Sequence, residues 1–302
     1  MKVVVTGATG VIGMALVTAL LERGDEVTVL SRDAERARRR LHGVEAIEWS
    51  DPKRLAAPAG ALSGADAVVN LLGENVAQRW SGHAKREIRD SRVLGTRNLV
   101  EGLRAAAPRP GVLVSQSGSG YYGARDDQPV DESAPPGADY LAGVTVGWEE
   151  QAQRAEELGV RVVRTRTGVV LAEGGGALAK MLPFFKAGVG GPVAGGRQYV
   201  PWIHVDDVAG AILFCMSDER ASGPVNVSAP EPATNRELSK ALGRVLHRPA
   251  LAPVPALALK ALYGDMAMIV TTGVRMVPGR LRELGYEFRR PDLEDALRAA
   301  TG

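Results

Sequence analysis

Apolar residues in the first half of the chain follow two alternating rhythms. Short continuous runs occur at 2–7 (KVVVTG), 26–32 (EVTVLSR), 44–49 (VEAIEW) and 65–73 (ADAVVNLLG). Between them lie stretches in which apolar positions recur every three or four residues, as in VIGMALVTALLERG at 11–24, the polar DAERARRRLHG at 33–43, and a long pattern from Ser81 to Ala107. PGVLVSQSG at 110–118 and VRVVRTRTGVVL at 160–171 extend the strand series, with DYLAGVTVGWEE at 139–150 as the helix between them. Continuously apolar strands alternating with helices predict an α/β fold with a doubly wound parallel sheet.

The rhythm changes after residue 172. AEGGGALAKMLPFFKAGVGGPVAGG is too glycine-rich to continue that sheet cleanly, PVNVSAP predicts a short strand, and proline-punctuated helices follow. TNRE at Thr234–Glu237 has the form of a capping box. The expected division is a dinucleotide-binding domain over 1–172, its core taking in segments near 200–228, and a smaller α/β substrate lobe over 173–302. The polar, proline-rich 123–139 predicts a loop on the substrate side.

Composition narrows the partners. A formal net charge of +2 over 302 residues argues for neither nucleic acid nor membrane. The first apolar run is too short and glycine-rich for a secretory signal, and the late apolar stretch 251–273 is broken by Pro253, Pro255, Lys260 and Asp265. A cytoplasmic location is therefore expected. The single cysteine, Cys215, excludes an internal disulfide and a CxxC metal site, and its setting in AILFCM predicts a buried structural thiol. The histidines are dispersed and predict no metal site. His204, beside Asp206 and Asp207, is expected to be structural, with Asp207 opening the next helix.

The candidate chemistry begins at TGATGVIG. Gly7, Gly10 and Gly13 fall between the first strand and first helix, where one glycine permits a tight turn, one lets backbone approach a pyrophosphate, and one lets the helix pack on the strand. The helix N-terminus then offers free amides and a positive dipole end. The second strand ends in Ser31–Arg32, where an NAD site places an acid; an arginine there suits a 2′-phosphate. The expected cofactor is NADP(H), and Asp33 is expected to cap the next helix.

These residues resemble the extended short-chain dehydrogenase/reductase superfamily. GENVAQRWSGHAKREIRDSRVLGTR, GRQYVPWIHVDDVAGAI and MVPGRLRELGYEFRRPDLEDAL are similar to an epimerase-like branch with a C-terminal extension, and the resemblance covers essentially the whole chain. It implies a Rossmann-type fold in which Gly7, Thr9, Gly10, Val11, Ile12 and Gly13 form the phosphate loop. Leu71, Leu72 and Gly73 would form a backbone shelf beside the cofactor, and Thr167, Gly168 and Val169 the segment beside the nicotinamide amide. Ser117 matches the active-site hydroxyl, with Ser115 and Ser119 as alternatives.

The superfamily's tyrosine–lysine pair has no counterpart. Anchoring the trailing acid at Glu149 puts Thr145 at the lysine position and Leu141 at the tyrosine position; anchoring on Tyr140 puts Val144 at the lysine position. No lysine occurs between Arg86 and Ala179. Tyr121 and Tyr122, which follow the serine loop, are the candidate acids beside Ser117. Glu74, Asn75, Arg197 and Gln198 are candidate substrate contacts. Trp80 and Trp202 are expected in the core. Two readings follow: an NADP(H)-dependent oxidoreductase or epimerase-like enzyme acting on a small carbonyl or hydroxyl compound, and a non-catalytic NADP(H)-binding regulator. The chain is expected to act as a monomer or homodimer.

Overall fold

Val3 and Val5 face one side of the first strand and Val4 the other, and all three are buried, so both faces of the sheet must be covered. A computed structural model describes residues 1–125 and 127–302. Its sheet has seven strands: β1 (Lys2–Thr6), β2 (Glu26–Ser31), β3 (Glu45–Glu48), β4 (Ala67–Asn70), β5 (Val112–Gly118), β6 (Arg161–Thr167) and β7 (Gly223–Val227). The order is β7-β6-β5-β4-β1-β2-β3, with every neighbouring pair parallel. Strand order reverses direction at β1, which opens a crevice between the ends of β1 and β4.

The early crossovers use α1 (Val11–Glu22), α2 (Ala34–Arg40), α3 (Gly82–Ala105) and α4 (Tyr140–Gln153). Later come α5 (Gly176–Lys186) and α6 (Val205–Ser217), the latter leading into β7. On one face Val3, Val5 and Val29 pack with Leu16 and Leu20 of α1 and Ile212 of α6. On the other, Val4, Leu30 and Val68 pack with Leu99 and Leu103 of α3. Each such side chain contributes about 1.5–3 kcal/mol by leaving water.

A separate core joins Leu178, Trp202, Leu238, Leu242 and Leu297. It draws on α5, α7 (Asn235–Val245) and α10 (Leu293–Thr301), with α8 (Ala256–Tyr263) and α9 (Gly279–Leu284) between the last two. Two carboxylates, the buried Asp207 and the half-buried Glu132, tie late backbone to early structure. Asp207 accepts from the amides of Arg289 (2.7 Å) and Arg290 (2.9 Å) and from the Tyr286 hydroxyl (3.2 Å). Glu132 accepts from the amides of Asn226 (2.8 Å) and Arg280 (3.0 Å), and burial holds its carboxyl above the usual range.

Local chemistry explains the helix starts. Asp33 caps α2 through the Arg36 amide, Ser81 caps α3, and Thr234 with Glu237 completes a capping box on α7. Two expectations change, the cap of α6 and the strand at 160–171. The cap of α6 is His204, whose Nδ1 accepts from the Asp206 amide, while Asp207 in that first turn is wholly buried. Part of the glycine-rich tract forms α5. Residues 160–171 also break at Gly168: the Val169 amide turns to Pro201 O at 2.7 Å, and Val169–Leu171 pairs with Trp202–His204 instead. A side chain at Gly168 would stand 1.9 Å from that carbonyl oxygen. The loop at 123–139 contributes the two-residue strand Pro129–Val130, paired with Arg275–Met276; Asp126 lies outside the described residues.

Candidate functional site

The crevice is floored by the glycine loop. Gly7 has φ +68°, and a Cβ there would lie 2.4 Å from Leu71 O; one at Gly13 would lie 2.5 Å from Gly7 O. Both positions are closed to any side chain by backbone. Gly10 differs: its nearest neighbour would be Gly7 O at 3.4 Å, and the residue is exposed. It keeps a face of the loop bare without being needed for packing. The first backbone bond into α1 runs from Met14 N to Gly10 O, so the amides of Val11, Ile12 and Gly13 are free first-turn donors. Thr9 and Ile12 are half-buried beside them, and Val11 packs under Gly175 of the late lobe. Free first-turn amides beside a bare glycine suit an anion such as a diphosphate.

On one side of the loop, at the end of β2, the Ser31 hydroxyl engages the backbone of Asp33, and Arg32 is exposed with no hydrogen-bond or ion-pair partner among the described residues. Its neighbours Arg38 and Arg39 instead pair with Glu35. On the other side, after β4, Leu71 and Leu72 are half-buried and Gly73 is exposed, forming an edge at the crevice. Beneath it Asn70 bonds Thr6, Thr96 and Ser115 in a buried network that locks β1, β4, β5 and α3. The Ser115 hydroxyl is thereby committed.

Ser117 and Tyr122, two of the candidate active-site hydroxyls, are both engaged by neighbouring side chains. Ser117 donates to Glu149 Oε1 at 2.7 Å, both residues being buried. Arg166 grips the same carboxylate with two bonds, 2.8 and 2.9 Å, and donates to the Tyr122 hydroxyl at 3.0 Å. Tyr122 in turn donates to Asn226 Oδ1 at 2.6 Å. Its ring is wholly buried, and desolvation pushes its phenol up to about 12. Arg166 is desolvated too, but its bonds to Glu149 outweigh this and hold it charged. Both hydroxyls are bonded to the buried Glu149–Arg166 ion pair. Tyr121 is half-buried, its ring stacked 3.4 Å from the Arg166 guanidinium, and Ser119 is half-buried; neither hydroxyl has a partner among the described residues.

The start of α4 also faces α3. The Tyr140 hydroxyl donates to Lys85 O, and its ring meets Trp80 edge-on. Val144 is buried beside Trp80, and the Thr145 hydroxyl bonds back within its own helix, so neither proposed register offers a cation. Trp80, Tyr140, Lys85, Leu257 and Met268 line a cavity of about 510 Å³ between the helix starts and segment 256–271. Asn75 caps the following turn through the Ala77 amide, Glu74 accepts from Gln78, and Gln198 bonds the Val193 and Val270 carbonyls. Arg197 is exposed. Thr167 is buried, and the Gly168 and Val169 amides are both used in backbone pairing. Among the described residues no group of three or more His, Cys, Asp or Glu side chains is placed to hold a metal, and no helix is long and apolar enough to cross a membrane.

Sequence reasoning missed Arg92, whose guanidinium lies against Gly73 and Trp148. The signal was its spacing: it stands three and four residues before Gly95 and Thr96, the buried, sheet-facing positions of α3.

A parallel sheet with this switch point and a bare glycine loop at a helix N-terminus defines a dinucleotide-binding Rossmann protein. The chain belongs to the NAD dependent epimerase/dehydratase family, whose model matches residues 3–228; a "Domain of unknown function (DUF1731)" matches 254–300. An "Epimerase family protein SDR39U1 homolog, chloroplastic" of Arabidopsis thaliana is 42% identical over 99% of this chain and 86% of its own. The crystal structure of the human epimerase family protein SDR39U1 (isoform 2) with NADPH superposes with a TM-score of 0.88 at 33% identity, covering 99% of both chains. A nucleoside-diphosphate sugar epimerase from Corynebacterium glutamicum gives 0.77 at 30% identity, over 100% of this chain and 58% of that one.

Proposed function

We propose that the chain binds NADP(H) across the C-terminal edge of its sheet and serves an oxidoreductase or epimerase-like reaction on a small carbonyl or hydroxyl compound. The observation that carries this is the bare Gly10 face with the free amides of Val11, Ile12 and Gly13, flanked by the unpaired Arg32. The NADPH in the human relative's crystal structure supports it. When bound, the cofactor supplies or accepts a hydride. The chain's own part is to hold the diphosphate at α1, to match the 2′-phosphate with Arg32, and to seat the reactant in the cavity beside Trp80 and Tyr140. The hydroxyls left to polarise a carbonyl are those of Tyr121 and Ser119, since Ser117 and Tyr122 are tied to Glu149, Arg166 and Asn226.

That commitment of Ser117 and Tyr122, with no lysine on α4, favours a second reading: a cofactor-binding regulator that turns nothing over. Fluorescence titration with NADPH and NADH tests the shared part. NADPH is expected to bind more tightly, and Arg32→Glu to abolish or invert the preference; equal affinities in the parent would refute the cofactor assignment. Oxidation of bound NADPH against a panel of carbonyl compounds then separates the readings. The enzyme reading expects turnover that survives Tyr140→Phe and falls about 10²–10⁴-fold in Tyr121→Phe or Ser119→Ala.

A further inference from the structure

The strand order β2-β1-β4 places the glycine loop between two crevice walls, and each wall presents an arginine. Arg32 ends β2. Arg92 reaches up from α3 to the edge formed by Gly73 after β4. A dinucleotide whose diphosphate sits at the loop must send one nucleoside to each side. Arg32 is on the side suited to the phosphorylated adenosine, which puts Arg92 beside the other nucleoside.

Arg92 is held in place before any ligand arrives. Its Nη1 donates to Glu74 O at 2.9 Å and Ile88 O at 3.1 Å, and its guanidinium carbon lies 5.0 Å from the centre of the Trp148 ring. Nε and Nη2 have no partner among the described residues, and Nη2 would stand 2.8 Å from a side chain at Gly73, so only a glycine leaves the group its place. Other cations near the crevice are occupied: Lys85 by Asp265, Arg166 by Glu149, and Arg79 by the Ala261 and Leu262 carbonyls. Desolvation brings the Arg92 guanidinium down to about 10, so it stays charged at neutral pH yet poorly hydrated. A fixed, under-solvated cation with two free donors favours oxygen ligands that replace the missing water.

Resting on the cofactor assignment above, we propose that Arg92 is a cofactor-binding residue, whose free Nε and Nη2 donors take the vicinal hydroxyls of the nicotinamide-side ribose. It thereby puts a positive charge beside the reacting ring from α3, where α4 offers none.

The test compares two ligands on three proteins. The parent, Arg92→Met and Arg92→Lys are titrated with NADPH and with 2′,5′-ADP, which carries only the adenosine half, and their melting temperatures are recorded. Loss of Arg92's bonds is expected to weaken NADPH about 10- to 100-fold in Arg92→Met. The 2′,5′-ADP affinity should stay within about twofold by the same reasoning, since no such bond is lost. Arg92→Lys, which keeps the charge, is expected to recover part of the loss. Unchanged NADPH affinity in Arg92→Met would overturn the assignment. So would parallel weakening of both ligands with a falling melting temperature, the mark of a purely structural role. If the parent binds neither ligand, the cofactor assignment itself fails and takes this one with it.

Discussion

Gly10 and Gly13 look interchangeable in TGATGVIG, yet the structure assigns them opposite consequences on substitution by alanine. At Gly10 the backbone is extended (φ −78°, ψ 173°), and the new methyl would meet nothing closer than 3.4 Å. Restricting the unfolded chain gains about 0.4–1 kcal/mol, and replacing glycine at an N-cap by alanine loses a similar amount. The two effects nearly cancel, so the melting temperature should move by less than about 3 °C. The methyl stands over the free amides, however. Forfeiting a charge-assisted bond to a phosphate should weaken NADPH about 10- to 100-fold. At Gly13 the methyl would lie 2.5 Å from Gly7 O and 2.6 Å from two backbone atoms of Ala8. Backbone cannot rotate aside, so overpacking costs about 3 kcal/mol, against about 1 kcal/mol gained in helix propensity. The net of about 2 kcal/mol should lower the melting temperature by about 4–8 °C. Scanning calorimetry and NADPH fluorescence on both variants provide the assay. If Gly10→Ala melts as early as Gly13→Ala, or binds NADPH like the parent, the division into a ligand glycine and a packing glycine is wrong.

Glu149→Gln should cost about 3–5 kcal/mol in urea unfolding by leaving Arg166 buried without its counter-charge, whereas Ser117→Ala should cost only about 1–2 kcal/mol and leave NADPH affinity unchanged; near-equal costs would dissolve the ion-pair account. Cys215, its thiol pushed up to about 12 by burial, should resist a thiol reagent at pH 8 in the native protein and react at once in urea; rapid native labelling would contradict the burial. Burial lowers the His204 pKa, so the unfolded chain binds a proton first. The stability this residue provides is full above about pH 6.5 and declines as pH falls from there towards its folded value. His204→Asn keeps a capping acceptor and should flatten that decline between about pH 7.5 and 5.5; identical pH profiles in parent and variant would remove His204 from the account.

The sheet was legible because burial on both faces leaves an unmistakable mark: Val3, Val4 and Val5 cannot belong to anything half-exposed. The glycine loop was legible for a similar reason, since backbone crowding at Gly7 and Gly13 admits no other residue. The hydroxyl sites were not. Ser115, Ser117 and Ser119 share a run of five residues, and what separates them is the presence of Asn70 beneath the first and Glu149 beneath the second, both far away in the chain. Tyr121 and Tyr122 are likewise separated by distant partners, Asn226 and Arg166, which take the hydroxyl of Tyr122. Arg92 was hidden among Arg86, Arg89 and Arg97, exposed basic residues of the same helix. Gly168 read as part of a strand because the carbonyl that forces its break, Pro201 O, lies on a segment whose position no local pattern reveals.

Asp207 and Glu132 bear on the order in which the molecule can be made. Each is an early carboxylate whose partners are amides that leave the ribosome late, at 280, 289 and 290. Until then Asp207 on α6 and Glu132 beside β7 lack those partners. Completion of the sheet's β7 side is therefore coupled to the segment 280–290. A nascent chain stalled before residue 280 would lack α9, which packs on the edge strand β7, and that uncovered edge is where a chaperone can bind and another stalled chain can aggregate.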